Sequence, residues 1–417
     1  MKRTISIMAG LIFFYVTLGV NLAQGASGAL DPSFGQGGQV LSSYGSSVLI
    51  GGAALQTDGK IIVLFSINES SFAVTRYLPG GALDTGFGSG GFVQTAFTNF
   101  LNVPTSIALQ SDGKIVVAGA ATSNQIQYEL ALARFDASGN LDNSFGVGGQ
   151  VTTGLPGLLS GAAIVIQSDN RILVAASALL SPRSSPQIAM ARYNSDGSLD
   201  TAFGQNGTLE QAATINNPTN VGLHLAIDSA GNILVGFGAS IIRFTPGGQI
   251  TAQVSPALVV NNSLGGPAIF QADGKYLLAK LVLEGSVRSR DEDTQVLRFT
   301  SNGNVDASFN SPIFDFSGEG GNSQGDITNA IAIQPNGQIV LGASHFDSGF
   351  SNELFALGRL DQNGSLDSTF GNGGRVTTSV GGVEGVAAVL IQSDGKIVAI
   401  GTANNFSSVA LVRYLGQ

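Results

Sequence analysis

Few side chains in this sequence could serve as bases, nucleophiles or metal ligands. It holds two histidines and no cysteine. Without thiols there is no disulfide, no thiolate metal site and no cysteine nucleophile. His345, followed by Asp347 and Glu353, is the best mixed cluster and could form part of a metal or acid–base site. Two isolated histidines cannot build a three-histidine metal centre. His224 lies in the alternating run Gly222-Leu223-His224-Leu225-Ala226-Ile227, where a structural role in a strand is expected. Carboxylates gather twice more. Asp291, Glu292 and Asp293 follow Arg288 and Arg290 and read as a solvated hairpin tip, or as a contact for a cation or a partner. Asp315 and Glu319, with Asp326 beyond them, form an acidic loop. Its spacing departs from the EF-hand but leaves looser Ca²⁺ coordination open. No other cofactor is expected. No Gly-x-Ser-x-Gly elbow or phosphate loop is present.

Composition narrows the classes further. Charged residues make up 11% of the chain, against ~25% in average domains. Glycine is frequent, at 58 of 417 residues, without a collagen period. Such a chain is expected to be all-β with many tight turns. The net charge of −9 argues against nucleic acid or an anionic membrane surface as partner. Tryptophan is absent, which removes the commonest aromatic platform for stacking on sugars.

The elements that would carry any site repeat along the chain. Gln110-Ser111-Asp112-Gly113-Lys114 joins two apolar runs and suits a three-residue hairpin loop with Gly in the left-handed region. The motif returns at Gln56, Gln167, Gln271, Gln334 and Gln392, and in worn form at Asp228. A second hairpin follows each copy, entered by Ala-Arg-Phe-like residues and left through Leu-Asp-x-x-Phe-Gly, as at Ala133-Arg134-Phe135 and Leu141 to Gly146. One repeat is therefore four short strands joined by two similar turns. Seven repeats of about 56 residues predict a seven-bladed β-propeller of four-stranded blades.

Two consequences follow from register. The arginine and aspartate flanking the second turn become direct cross-strand partners: Arg76 with Asp84, Arg134 with Asp142, Arg192 with Asp200, Arg298 with Asp306 and Arg359 with Asp367. The last repeat stops after Arg413, and its missing Leu-Asp-x-x-Phe-Gly tail stands at Leu30 to Gly35. The N-terminal strand is thus expected to complete the last blade, closing the ring and pairing Arg413 with Asp31. These pairs read as blade-locking ion pairs. The fourth repeat departs, with Thr251 expected opposite Arg243.

Residues 1–25 read as a secretory signal peptide, with Lys2 and Arg3 before an apolar stretch and Ala23-Gln24-Gly25 at the cleavage site. Residues 26–417 then form one propeller domain, secreted or periplasmic, monomeric and not inserted in a membrane after cleavage.

The combination Gln-Ser-Asp-Gly-Lys-Ile-Val-Val-Ala-Gly, Ala-Leu-Ala-Arg-Phe and Gly-x-Leu-Asp-x-x-Phe-Gly resembles the delta-60 repeat family of bacterial proteins, over essentially everything after the signal peptide. The resemblance implies tandem-repeat propellers exported by bacteria. It implies no established activity and no catalytic residues. Both turns of a repeat lie at one end of its blade, so the stretches that vary in length share the other end. Recognition of a protein or glycan partner is expected there. The alternatives are a lyase or hydrolase at the channel mouth and a Ca²⁺-stabilised structural module.

Overall fold

The computed structural model describes residues 25–45, 47–98, 100–124, 127–155, 157–178, 187–212, 223–237, 240–254, 263–264, 266–286, 289–313, 315–316, 325–346, 353–382 and 385–417. The chain is all-β, with seven four-stranded antiparallel sheets arranged as the blades of a propeller. Strand β1 (Gln39–Ser43) comes first. Blade I is β2 (Val48–Leu55), β3 (Ile61–Ile67), β4 (Phe72–Tyr77) and β5 (Phe92–Thr95). Blade II is β6 (Leu101–Leu109), β7 (Ile115–Thr122), β8 (Glu129–Phe135) and β9 (Gln150–Gly154). Blade III is β10 (Leu158–Ile166), β11 (Ile172–Ala178), β12 (Gln187–Tyr193) and β13 (Thr208–Ala212). Blade IV is β14 (Leu223–Ile227), β15 (Ile233–Phe237), β16 (Ser240–Phe244) and β17 (Ile250–Val254). Blade V is β18 (Ser263–Leu264), β19 (Ala268–Phe270), β20 (Tyr276–Ser286) and β21 (Ser289–Phe299). Blade VI is β22 (Asp326–Ile333), β23 (Ile339–Phe346), β24 (Glu353–Leu360) and β25 (Arg375–Thr378). Blade VII takes β26 (Gly385–Ile391), β27 (Ile397–Ala403) and β28 (Ser408–Tyr414) and is completed by β1, which pairs with β28.

The blades close into a ring because their first strands touch in sequence: β2, β6, β10, β14, β19, β22, β26 and again β2. These strands line the axis. The second strands of most blades are largely apolar and buried along most of their length, as in β7. A strand covered on both faces has no need of a polar side, and period-2 geometry sends alternate residues to different neighbours. Ile115 and Val117 pack with Ile62 and Leu64 of blade I. Val116 and Ala118 pack with Ile172 and Val174 of blade III. Each such aliphatic side chain contributes about 1.5–3 kcal/mol on burial. The core is therefore the set of seams between blades.

The first turns take the expected form. Gln110 N–H donates to the Lys114 carbonyl at 2.9 Å, and Gly113 has φ of 85°. In blade III Asn170 holds the same place at φ 64°, the next best residue there after glycine.

Blade V departs from the pattern. Both β18 and β19 pair with the inner edge of β20, so the innermost strand is split at Gly266-Pro267. Proline cannot donate to the ladder, and the Ala279 N–H reaches the Pro267 carbonyl at 3.0 Å instead. On the outer edge, Ser311 Oγ accepts from Val296 N–H at 3.2 Å just before Pro312, where the other blades form a fourth strand.

Candidate functional site

The recurring charges of the repeat build latches between blades. In blade II, Arg134 Nε donates to Asp142 at 2.9 Å, Nη1 donates to the Ser195 carbonyl in the second turn of blade III, and the guanidinium lies 4.7 Å from the Phe145 ring centre. Gly146 N–H reaches the next carbonyl of that turn, on Asp196, at 2.8 Å. Arg76 joins Asp84 and the Ala137 carbonyl of blade II. Arg192 joins Asp200 and the Pro246 carbonyl of blade IV. Arg298 joins Asp306 and the Gln362 carbonyl of blade VI. Arg413 joins Asp31 and the Pro79 carbonyl of blade I. Arg359 joins Asp367 and the Gly416 carbonyl, and its Nη2 takes Ser27 Oγ at 3.0 Å. It thus holds the segments at Ser27 and Gly416 against blade VI. A carboxylate and a backbone carbonyl satisfy each guanidinium, so these groups are committed to the scaffold.

The aspartates show the same commitment. Burial alone would raise Asp142, but the Ser144 hydroxyl and N–H and the Arg134 charge hold it at about 2. Asp31 is held at about 2 in the same way, by Ser33 and Arg413 against its burial. At Asp306 the Ser308 hydroxyl leads, and the carboxyl again falls to about 2.

One seam lacks this device. Arg243 of blade IV instead meets Asp228 in its own first turn at 3.3 Å. A bulge places Ala252 opposite Arg243, and the Thr251 hydroxyl donates to the Arg243 carbonyl at 3.2 Å. Near the axis this seam is crossed by Ala268 N–H, which donates to His224 Nε2 at 2.9 Å. Burial depresses His224 to about 4, so the ring is a neutral acceptor. The structural role expected of His224 is this bond.

His345 is the penultimate residue of β23, 7% exposed. Its Nδ1 lies 2.7 Å from Asp326 Oδ1 at the start of β22, and Asp326 Oδ2 accepts Phe316 N–H at 2.7 Å. Burial raises the Asp326 pKa, and the nearby Asp315 carboxylate adds to the rise. Asp315 itself is buried, and its carbonyl accepts Arg375 Nε at 2.7 Å. Glu353 opens β24 opposite Phe346, while Asp347 and Glu319 lie outside the described residues. Asp291 and Glu292 sit on β21 opposite Glu284 and Leu283, and Asp293 is buried. Among the described residues no three acidic or histidine side chains come together as a metal site.

The variable-loop face carries different chemistry on blades VII, I and II. A cavity of about 390 Å³ opens there, floored by Ala121 and Leu155 and walled by Tyr128, with Asn124, Gln127 and Glu129 at its rim. Tyr128 packs its ring on the core between blades II and III, and its hydroxyl has no hydrogen-bond partner among the described residues. Glu129 is exposed. Phe100, in the connection from blade I to blade II, is 48% exposed, and Phe406, between β27 and β28, is 39% exposed. These are the exposed large aromatic residues among those described, and both lie on this face. Asn404, Asn405 and Phe406 have φ of 53°, 56° and 61°. Three successive left-handed residues without glycine are costly, and such strain gathers at functional loops.

Comparison with known proteins adds the family. The family described as "Domain of unknown function (DUF5122) beta-propeller" matches residues 56–87, 110–145, 167–203, 280–309, 334–370 and 392–416. The matches fall on every blade except IV, the one without a latch. No curated protein sequence matches the chain. Among solved structures, a polysaccharide lyase, PL25 ulvan lyase, is 11% identical over 90% of this chain and 96% of its own, with a TM-score of 0.49. YCF48 from Cyanidioschyzon merolae is 12% identical over 90% and 98%, also at 0.49. The extracellular domain of a hybrid two-component system from B. thetaiotaomicron is 10% identical over 90% of this chain, at 0.49, and this chain spans 40% of its length. Repeats, fold and family match together place this chain among the tandem-repeat β-propellers.

Proposed function

We propose that this chain is an exported binding module of the delta-60 repeat type, with recognition on the variable-loop face of blades VII, I and II. The reading rests on one observation: both exposed large aromatics among the described residues, Phe100 and Phe406, lie on this face, which also carries the Tyr128 cavity. Aromatic residues that stay exposed on an otherwise apolar-in fold are the usual anchors of a contact surface. The repeat charges are spent on latches and leave no comparable anchor on the turn face. Export rests on the Lys2-Arg3 start and the apolar stretch that follows, both within residues outside the described structure.

A second reading, an enzyme, rests on the Asp326–His345 pair, since a carboxylate on Nδ1 is how a histidine is oriented as a base. Its burial favours the binding reading. Labelled protein applied to envelope fractions of the source cell tests the assignment. The variants Phe100→Ala with Phe406→Ala, and Tyr128→Ala, should each lose binding at least tenfold. A turn-face control, Asp112→Asn, should bind as wild type. Equal binding by all four proteins would overturn it.

A further inference from the structure

The opposite face holds a second cavity, at the mouth of the axial channel. It measures about 400 Å³ and is formed by the same three positions of blades I, II and III, residues 55–57, 109–111 and 166–168. Each blade gives the last aliphatic residue of its innermost strand, then a glutamine, then a hydroxyl residue. No charged side chain lines it. The charges of the turn tips around it are paired with one another: Lys60 with Asp58, Lys114 with Asp112 and Arg171 with Asp169.

The glutamines do not all have the same work. Gln110 Oε1 accepts from Arg134 at 3.5 Å, as Gln334 does from Arg359 and Gln392 from Arg413. Gln56 and Gln167 occupy the equivalent places on either side of Gln110. Their Oε1 atoms are buried and have no donor among the described residues. A buried acceptor without a donor is destabilising, and an aliphatic residue of the same size would remove the cost. The hydroxyls of Thr57, Ser111 and Ser168 also have no protein partner among the described residues, and these residues are exposed.

We infer that this mouth is a binding site for a neutral, polyhydroxylated ligand, a short uncharged oligosaccharide. With the Gln56 and Gln167 amides turned toward the cavity, its hydroxyls would donate to them and exchange hydrogen bonds with Thr57, Ser111 and Ser168. Its C–H faces would lie on Leu55, Leu109 and Ile166. Three matching blade positions, two of them with an unengaged glutamine acceptor, suit a ligand that repeats its own unit, and a rim of mutually paired charges selects neither an anion nor a cation. The site is distinct from the variable-loop face and stands or falls without it.

The test is calorimetric titration of the full mature chain with maltotriose, cellotriose and laminaritriose, with a glucuronic acid trisaccharide as charged control. At least one neutral trisaccharide should bind saturably, and the charged one should bind at least tenfold more weakly. The double variant Gln56→Leu with Gln167→Leu should lose about tenfold or more in affinity, for two hydrogen bonds, while its urea midpoint rises. Gln271 supplies the control, because its Oε1 is also buried without a donor but it does not line the cavity. Gln271→Leu should raise the urea midpoint and leave affinity unchanged. No saturable binding by any neutral trisaccharide, undiminished binding by the double variant, or equal binding of the charged sugar would each overturn the inference.

Discussion

The six latches and the one bare seam make a quantitative contrast. Arg134 is 3% exposed and bonds Asp142, Gln110, the Ser195 carbonyl and Ser144. Arg134→Gln removes the charge and strands the partly buried Asp142 with only Lys114, 3.3 Å away, to offset it. It also leaves the Ser195 carbonyl without its donor. Breaking one partner of a buried pair costs about 3–5 kcal/mol. Asp142 keeps some exposure, at 13% of its side chain, so the lower figure, about 3 kcal/mol, applies. Arg243 has 30% of its side chain exposed and, among the described residues, pairs its charge only with Asp228. Arg243→Gln should cost less than about 1 kcal/mol, as exposed pairs do. Urea unfolding followed by fluorescence and circular dichroism measures both, with midpoints compared at constant slope. Equal losses from the two variants, or an Arg134→Gln protein as stable as wild type, would refute the assignment of the arginines to inter-blade latching.

Acid should open the ring in a defined window. The latch carboxyls Asp31, Asp142 and Asp306 lie at about 2 in the fold and near ~3.9 when unfolded. A depressed folded pKa gives stability that is full above about pH 4 and lost as pH falls toward 2; a urea midpoint that does not change between pH 5 and 2 would contradict this. His224 acts higher. Its folded value of about 4 lies below the ordinary 6.5, so its contribution is complete above pH 6.5 and is lost as pH falls through 4. The protection of the Ala268 amide, whose N–H it accepts, measured relative to intrinsic exchange at each pH, should fall over that range in wild type and not in His224→Gln. Asn170→Ala puts a residue without asparagine's tolerance of the left-handed region at φ 64° and should cost about 1 kcal/mol, while Asn170→Gly should not destabilise, both read by thermal unfolding.

Much of the fold is written in the turns. A three-residue loop with glycine or asparagine in the left-handed position fixes which residues face each other, so the strand count, the completion of blade VII by β1 and the eight-residue spacing of Arg134 and Asp142 all follow from local chemistry. The carbonyl that each arginine reaches does not, because it belongs to the next blade and depends on ring geometry. Nor does the partner of His345. Counting back from the turn at Gln334 puts Asp326 opposite Phe346. A bulge between Thr328 and Ala330 shifts the ladder by one and brings His345 there instead. The same inner-strand bulge recurs in blades I, II, III and VII, so its signal lies in comparing structures of the repeats rather than in any one residue type. The Tyr128 cavity was legible only as a face, since its floor combines Ala121 of β7 with Leu155 beyond β9.

The central claim of the proposed function is that the variable-loop face recognises the envelope partner. Hydrogen exchange of the protein, free and bound to the source-cell envelope fraction, tests it most directly. Binding should protect the segments around Phe100, Tyr128 and Phe406 on blades II and VII and at the junction of I with II, and leave the turns at Gln56, Gln110 and Gln167 unchanged. Protection confined to the turns, or to the outer strands of the blades, would contradict it.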